Sequence, residues 1–158
     1  MPELLRLRGY RADDLDAMQA LDLVCFDPPF RFSRGAMRRF AEAKRARVVL
    51  AEQEGILAGF VILHLEESAQ GQVGYVVTLD VAPEFRRRGV ATQLMREAER
   101  LAGKEGCLAL ALHVFTENQA AIRFYAQDGF FRSHLAEGFY GASRDAWVFY
   151  KPLWGGGD

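Results

Sequence analysis

Between Thr78 and Thr92 the chain reads Thr-Leu-Asp-Val-Ala-Pro-Glu-Phe-Arg-Arg-Arg-Gly-Val-Ala-Thr. An apolar strand runs into a turn with three arginines and a glycine, and the turn opens a helix. The first N–H groups of a helix have no partner inside it, and its dipole adds about half a positive charge, so an anion is stabilised there. Gly89 and Ala91 are small enough for the backbone to approach a pyrophosphate, and Arg86, Arg87 and Arg88 surround it with charge. A solvated basic turn is the plainer alternative. The segment is neither GxxxxGK[ST] nor GxGxxG. The two cysteines, Cys25 and Cys107, show no CxxC or Cys/His spacing and no neighbouring base. They read as small apolar fillers, with neither a metal centre nor a covalent nucleophile implied.

The elements around this loop follow from periodicity. Residues 4–10 alternate as an opening strand. Leu15, Met18 and Leu21 recur at helical spacing, predicting a first helix that runs to about Phe26 and stops before Pro28-Pro29. Ser33 can cap a second helix, Arg34 to Ala46. Strands are expected at 47–53 and 56–65 around the Glu54-Gly55 hairpin turn, with a polar loop, Glu66 to Gly71, before a strand from Val73 to Val81. Val90, Leu94, Ala98 and Leu101 predict a third helix ending at Gly103 or Gly106. A strand at 107–115, a helix from Asn118 to Gln127, and strands Phe130–Glu137 and Ala146–Leu153 complete the order βααβββαβαββ. This pattern predicts an α/β (α+β) fold, a central mixed sheet covered by helices.

Composition sets the frame. The 158 residues, half of them hydrophobic, carry 20 Lys+Arg against 21 Asp+Glu, a net charge of -1. That size suits one domain with one core, expected over residues 1–154 with a disordered tail at 155–158. Near-zero net charge argues against a nucleic-acid-binding surface, and the absence of a long apolar run argues against a membrane span or signal peptide. Cysteine usage points to a reducing, cytoplasmic setting. A monomer or a homodimer is equally compatible.

The loop, with its RxxGxA after a strand ending in Val-Ala-Pro, resembles the coenzyme A pyrophosphate signature of the GNAT superfamily of N-acetyltransferases. About thirty residues on, the segment from Leu112 to Phe130 is similar to that superfamily's second motif, in Asn118-Gln119-Ala120-Ala121-Ile122-Arg123-Phe124-Tyr125 and the later Gly129-Phe130. The resemblance implies the GNAT fold over nearly the whole chain, with about seven strands, four helices and splayed fourth and fifth strands. It implies acetyl-CoA as the donor, its pantetheine arm along the backbone of Leu79, Asp80 and Val81. The amides of Arg87, Arg88, Gly89, Val90, Ala91 and Thr92 would hold the pyrophosphate, and Asn118 would both cap its helix and touch the pantetheine.

Acetyl transfer from a thioester needs a neutral amine and a protonated leaving thiol. A free α-amino group has a pKa near 8, so roughly a tenth is neutral at pH 7, and a modest base suffices. His113 shares a strand face with Ala109, Ala111 and Phe115, leaving room for a ligand. It stands five residues before the motif asparagine, where N-terminal acetyltransferases carry a catalytic Glu (RimI-type) or His (NatE-type). Gly74-Tyr75-Val76-Val77-Thr78-Leu79 is similar to the NatE-type Tyr-x-x-Thr-Leu, whose tyrosine works with the histidine through ordered water; a plain aromatic in a sheet is the other reading of Tyr75. The resemblance makes Tyr125 the acid that protonates the thiolate, with core packing as the alternative.

The acceptor segments also resemble the N-terminal acetyltransferases. Phe26-Asp27-Pro28-Pro29-Phe30 matches their aromatic-proline segment, implying acceptor contacts from Phe26 and Pro28. Gly138-Phe139-Tyr140 stands where they have Asn-Tyr-Tyr, so only Tyr140 keeps the phenol that would bind a peptide backbone, and Asp145-Ala146 matches their closing Asp-Ala. Five aspartates between Asp13 and Asp27 precede seven basic residues, Arg31 to Arg47, and these either form a solvated face or steer an acidic substrate. The expected activity is direct acetyl transfer to a protein or peptide α-amine in a ternary complex. Acetylation of a small amine (polyamine, amino acid or antibiotic) and a non-catalytic acyl-CoA-binding module are the alternatives.

Overall fold

The computed structural model describes residues 5–153. The expected tail at 155–158 and Leu4 lie outside the described residues. The elements are β1 (Arg6–Gly9), α1 (Leu15–Cys25), α2 (Arg34–Ala41), β2 (Ala46–Gln53), β3 (Ile56–Ser68), β4 (Gly71–Val81), α3 (Val90–Lys104), β5 (Ala109–Phe115), α4 (Gln119–Gln127), β6 (Phe131–Ala136) and β7 (Ala146–Pro152). The expected order βααβββαβαββ is the observed one. The seven strands form one mixed sheet, ordered β1-β2-β3-β4-β5-β7-β6, in which β4 and β5 run parallel.

Several boundaries differ from expectation, three of them with a reason in the pairing or burial. Helix α2 ends at Ala41 instead of Ala46, because Ala46 already pairs with His64 as the first residue of β2. Glu66, Glu67 and Ser68 extend β3 instead of forming a loop, leaving only Ala69 and Gln70 as the turn before β4. Leu108 lies outside β5 and is 46% exposed, although its phase matches the buried Leu110 and Leu112.

The chain divides into two compact units, one of residues up to His64 with Val77–Leu101, the other of Leu65–Val76 with residues from Ala102 onward. In the first unit the antiparallel strands β1, β2 and β3 are paired, with Glu54 and Gly55 at φ of 53° and 77° supplying the left-handed hairpin turn between β2 and β3. Met18, Met37, Leu50, Phe60, Ile62, Leu94 and Met95 are fully buried, each contributing about 2 kcal/mol of apolar burial. The Ser33 hydroxyl caps α2 by accepting from the Ala36 N–H at 3.1 Å. Arg8 donates to both oxygens of Asp14, at 2.9 and 2.7 Å, and to Glu52, tying β1 to α1 and β2.

In the second unit β5 pairs with β4 over only three positions, Val73 with Ala109 through Tyr75 with Ala111. On its other side β5 pairs with β7 along its whole length, and β7 pairs with β6. Leu110, Leu112, Val114 and Phe149 are buried on these strands. No described helix is long and apolar enough to cross a membrane.

Candidate active site

Strand alternation places Tyr75 and His113 on one sheet face. Tyr75 lies opposite Ala111, and His113 is two residues further along the same strand. Their side chains meet directly, the Tyr75 phenol oxygen 2.7 Å from His113 Nδ1, with the rings edge-on at 5.6 Å. Sequence resemblance pointed to water between them; here they touch. Burial pushes the Tyr75 phenol above its usual pKa, with Tyr140 and Glu66 acting in the same direction. Which group donates follows the tautomer: with the ring hydrogen on Nδ1, it is given to the phenol oxygen and Nε2 keeps the lone pair that a base needs. The His113 imidazole is pulled below its ordinary pKa, first by burial and then by His134, so at neutral pH it is uncharged. His134 stands in the same cross-strand row, opposite Val148, as does His113.

The connection between β6 and β7 closes over this pair. Gly138, Gly141 and Ser143 take left-handed backbone angles of 63°, 117° and 63°, and the Asp145 carboxylate accepts from the Gly138 N–H at 2.8 Å. The turn lays the Phe139 ring flat on the His113 imidazole, with centroids 3.7 Å apart and planes 4° from parallel. Phe139 is a site residue that sequence reading set aside as a mismatch. Tyr140 reaches the same strand differently, its phenol donating to the His113 carbonyl at 3.2 Å, and burial pushes it up to about 12. Its ring stands edge-on to Phe139 and Phe115.

Helix α4 starts where expected, the Asn118 side chain accepting from the Ala121 N–H at 3.1 Å. Tyr125 is buried on this helix, edge-on to Phe124 at 5.1 Å and to Phe130 at 5.4 Å.

In the first unit a glycine turn runs from β4 into α3, in the strand, turn and helix order the sequence predicts. After a short 3-10 turn, Pro83–Phe85, Arg87 and Gly89 adopt positive φ of 64° and 80°. The first α3 hydrogen bond runs from the Gln93 N–H to the Gly89 carbonyl at 3.0 Å, which leaves the N–H groups of Val90, Ala91 and Thr92 ahead of it. A Cβ on Gly89 would meet nothing within 4 Å, so the space beside it is open. The arginines do not all face that space: Arg86 Nε donates to the Val81 carbonyl at 3.2 Å, and the Arg88 guanidinium lies 5.6 Å from the Phe85 ring centre. Leu79 and Val81 share the half-buried face of β4, whereas the Asp80 side chain turns into the core.

Phe26 ends α1, Pro28–Phe30 forms a 3-10 turn, and Arg31 Nε clamps the Phe26 carbonyl at 2.8 Å. Cys25 donates to the Val81 carbonyl at 3.3 Å, and burial pushes its thiol up to about 11, so it is no thiolate nucleophile. Among the described residues no group of His, Cys, Asp and Glu is placed to hold a metal.

The profile of the acetyltransferase (GNAT) family matches residues 16–130. N-alpha-acetyltransferase 60 of Xenopus tropicalis is 28% identical, over 95% of this chain and 70% of its own length. The catalytic subunit NAA10 of the N-terminal acetyltransferase A complex of Arabidopsis thaliana is also 28% identical, over 94% of this chain and 78% of its own. Among solved structures, Arabidopsis thaliana NAA60 in complex with acetyl-CoA superposes with a TM-score of 0.83 at 22% identity, covering 96% of this chain and 100% of that one. Nourseothricin acetyltransferase superposes with a TM-score of 0.75 at 27% identity, over 94% and 98%. A seven-stranded mixed sheet with parallel β4 and β5, a glycine turn opening α3 and the family match together show that this chain belongs to the GNAT acetyltransferases, which use acetyl-CoA as donor.

Proposed function

We propose that this acetyltransferase acetylates the α-amino group of a protein or peptide, in a ternary complex and without a covalent enzyme intermediate. The observation that carries the reading is the direct Tyr75–His113 contact, a neutral imidazole held by a firmly protonated phenol. Such a base suits an amine whose pKa lies near 8. Two relatives that are themselves named as α-amine or N-terminal acetyltransferases support it.

The loop fits acetyl-CoA, because the open space at Gly89 adjoins N–H groups at the head of α3. The backbone of Leu79, Asp80 and Val81 would hold the pantetheine arm, and the amides of Arg87, Arg88, Gly89, Val90, Ala91 and Thr92 would hold the pyrophosphate, with Arg86 bracing the turn and Asn118 contributing at α4. Bound there, acetyl-CoA supplies the activated acetyl group. His113, backed by Tyr75, takes the proton of the acceptor amine, directly or through a water. Tyr125 gives a proton to the departing sulfur. Phe26, Pro28 and Tyr140 line the acceptor side, Tyr140 through its ring, since its phenol is bonded to the His113 carbonyl. Residues 1–154 work as one catalytic domain in a reducing cytoplasm.

A small amine is the second reading, favoured by the Gly138-Phe139 departure and by the likeness to nourseothricin acetyltransferase. One experiment separates them: incubation with acetyl-CoA and a panel of free-N-terminus peptides, N-blocked lysine peptides and small amines, read by mass spectrometry. Acetylation of the free α-amines with blocked lysine peptides untouched is expected; product on small amines alone would overturn the proposal.

A further inference from the structure

Two carboxyl groups of the first unit stand outside this chemistry. Asp22 in α1 and Asp80 in β4 are both 0% exposed. Asp80 Oδ1 accepts from the Thr78 hydroxyl at 2.6 Å, and Asp22 Oδ2 accepts from the Phe32 N–H at 2.8 Å. The two remaining oxygens, Asp22 Oδ1 and Asp80 Oδ2, are buried with no donor to satisfy them among the described residues, and the two carboxyl groups lie close enough for Asp22 to act on Asp80. Two ionised carboxylates cannot bond to one another; one proton between them satisfies both. Burial and the Asp22 carboxyl hold Asp80 well above the usual carboxylate range.

A proton shared there would complete a chain of hydrogen bonds from Thr78 through Asp80 and Asp22 to Phe32. Phe32 directly precedes the Ser33 cap of α2 and ends the segment that begins at Phe26. One turn beyond Asp22, Cys25 bonds to the Val81 carbonyl. The end of α1 and the start of α2 are thereby fastened to the last residues of β4.

We propose that Asp22 and Asp80 are positioning residues that share one proton and thereby fix the 26–32 segment against residues 79–81 for acetyl transfer. The assignment of those segments to acceptor and donor rests on the function proposed above. Among the described residues, Thr78 from β4 and Cys25 from α1 bear on Asp80 or feel its charge, and Arg86 from the following turn bonds to Val81 and bears on Cys25. Strand β3 brings Gly59 against the Asp80 backbone carbonyl with Leu94 of α3 beside it, and neither is titratable. The folded protein keeps a proton that the unfolded chain releases above about pH 4, so stability falls as pH rises from there through the pKa of the pair.

The test compares wild type with Asp22→Asn and Asp22→Leu. The carboxamide of Asp22→Asn can donate to Asp80 and accept from Phe32 with no shared proton, whereas Asp22→Leu fills the space and breaks the chain. Thermal unfolding between pH 5 and pH 9 is expected to show the wild-type Tm falling relative to Asp22→Asn. Asp22→Leu is expected to raise the acceptor KM at least fivefold and to speed amide hydrogen exchange at Phe32, while Asp22→Asn restores both to within about twofold of wild type. Parallel Tm profiles for wild type and Asp22→Asn would overturn the shared proton. Wild-type KM and Phe32 exchange in Asp22→Leu would overturn the positioning role. A wild-type protein that acetylates no amine, yet keeps the Tm difference and the Phe32 protection, would instead overturn the proposed function and with it the positioning role, leaving the shared proton standing.

Discussion

The phenol of Tyr75 and Nδ1 of His113 lie 2.7 Å apart on neighbouring parallel strands. The bond orients the imidazole and, with the ring hydrogen on Nδ1, leaves Nε2 free to take a proton. Tyr75→Phe removes the acceptor of Nδ1–H and is expected to lower kcat/KM about tenfold and to move the acid limb of its pH profile downward, and His113→Ala to lower it about a hundredfold or more. Steady-state kinetics across pH check both, and an unmoved limb in Tyr75→Phe would refute the bond's role.

The pH profile has its own prediction. Burial and His134 hold His113 below the ordinary histidine value of about 6.5, so the acid limb of kcat/KM should turn below that pH. His134→Gln removes a like charge, and the limb should shift toward higher pH. A profile identical to wild type would show that His134 does not act on the base.

Tyr125 offers a cleaner separation of binding from chemistry. Tyr125→Phe keeps the ring packed against Phe124 and Phe130 and removes only the hydroxyl. Turnover should fall at least tenfold with little change in acetyl-CoA affinity by calorimetry. Unchanged turnover would remove Tyr125 as the acid.

Gly89 tests the loop. Its φ of 80° with nothing near the missing Cβ means that Gly89→Ala meets no clash, only left-handed strain of about 1–2 kcal/mol. Relaxation of that strain would turn the α3 N–H groups away from the anion. Acetyl-CoA affinity is expected to fall several-fold, and a calorimetric titration matching wild type would dismiss the loop's role.

Period-based features were readable from the sequence because they are local. The phase of His113 on β5, the caps at Ser33 and Asn118 and the Glu54-Gly55 turn each follow from a few adjacent residues. Phe139 was not readable, since its stacking on His113 depends on three left-handed residues in a turn without periodicity. Asp22 was read within a run of surface aspartates, although it shares the buried stripe of α1 with Leu15, Met18 and Leu21. Asp80 likewise follows Gly74, Val76 and Thr78 on the buried phase of β4. An acid on the apolar phase of two separate elements was the available signal, and only the fold shows that the two meet.

Strand β7 lies between β5 and β6 although it follows both in the chain. Residues 131–136 therefore have no strand to pair with until residues 146–152 have been made, and the turn carrying Phe139 and Tyr140 is held between those two strands. During synthesis on a ribosome, β5 can emerge and meet β4 well before its histidine acquires the aromatic cover. Assembly of the His113 cluster is thus a late step in the life of each molecule, and a slow β7 would leave β5 carrying an unfinished base.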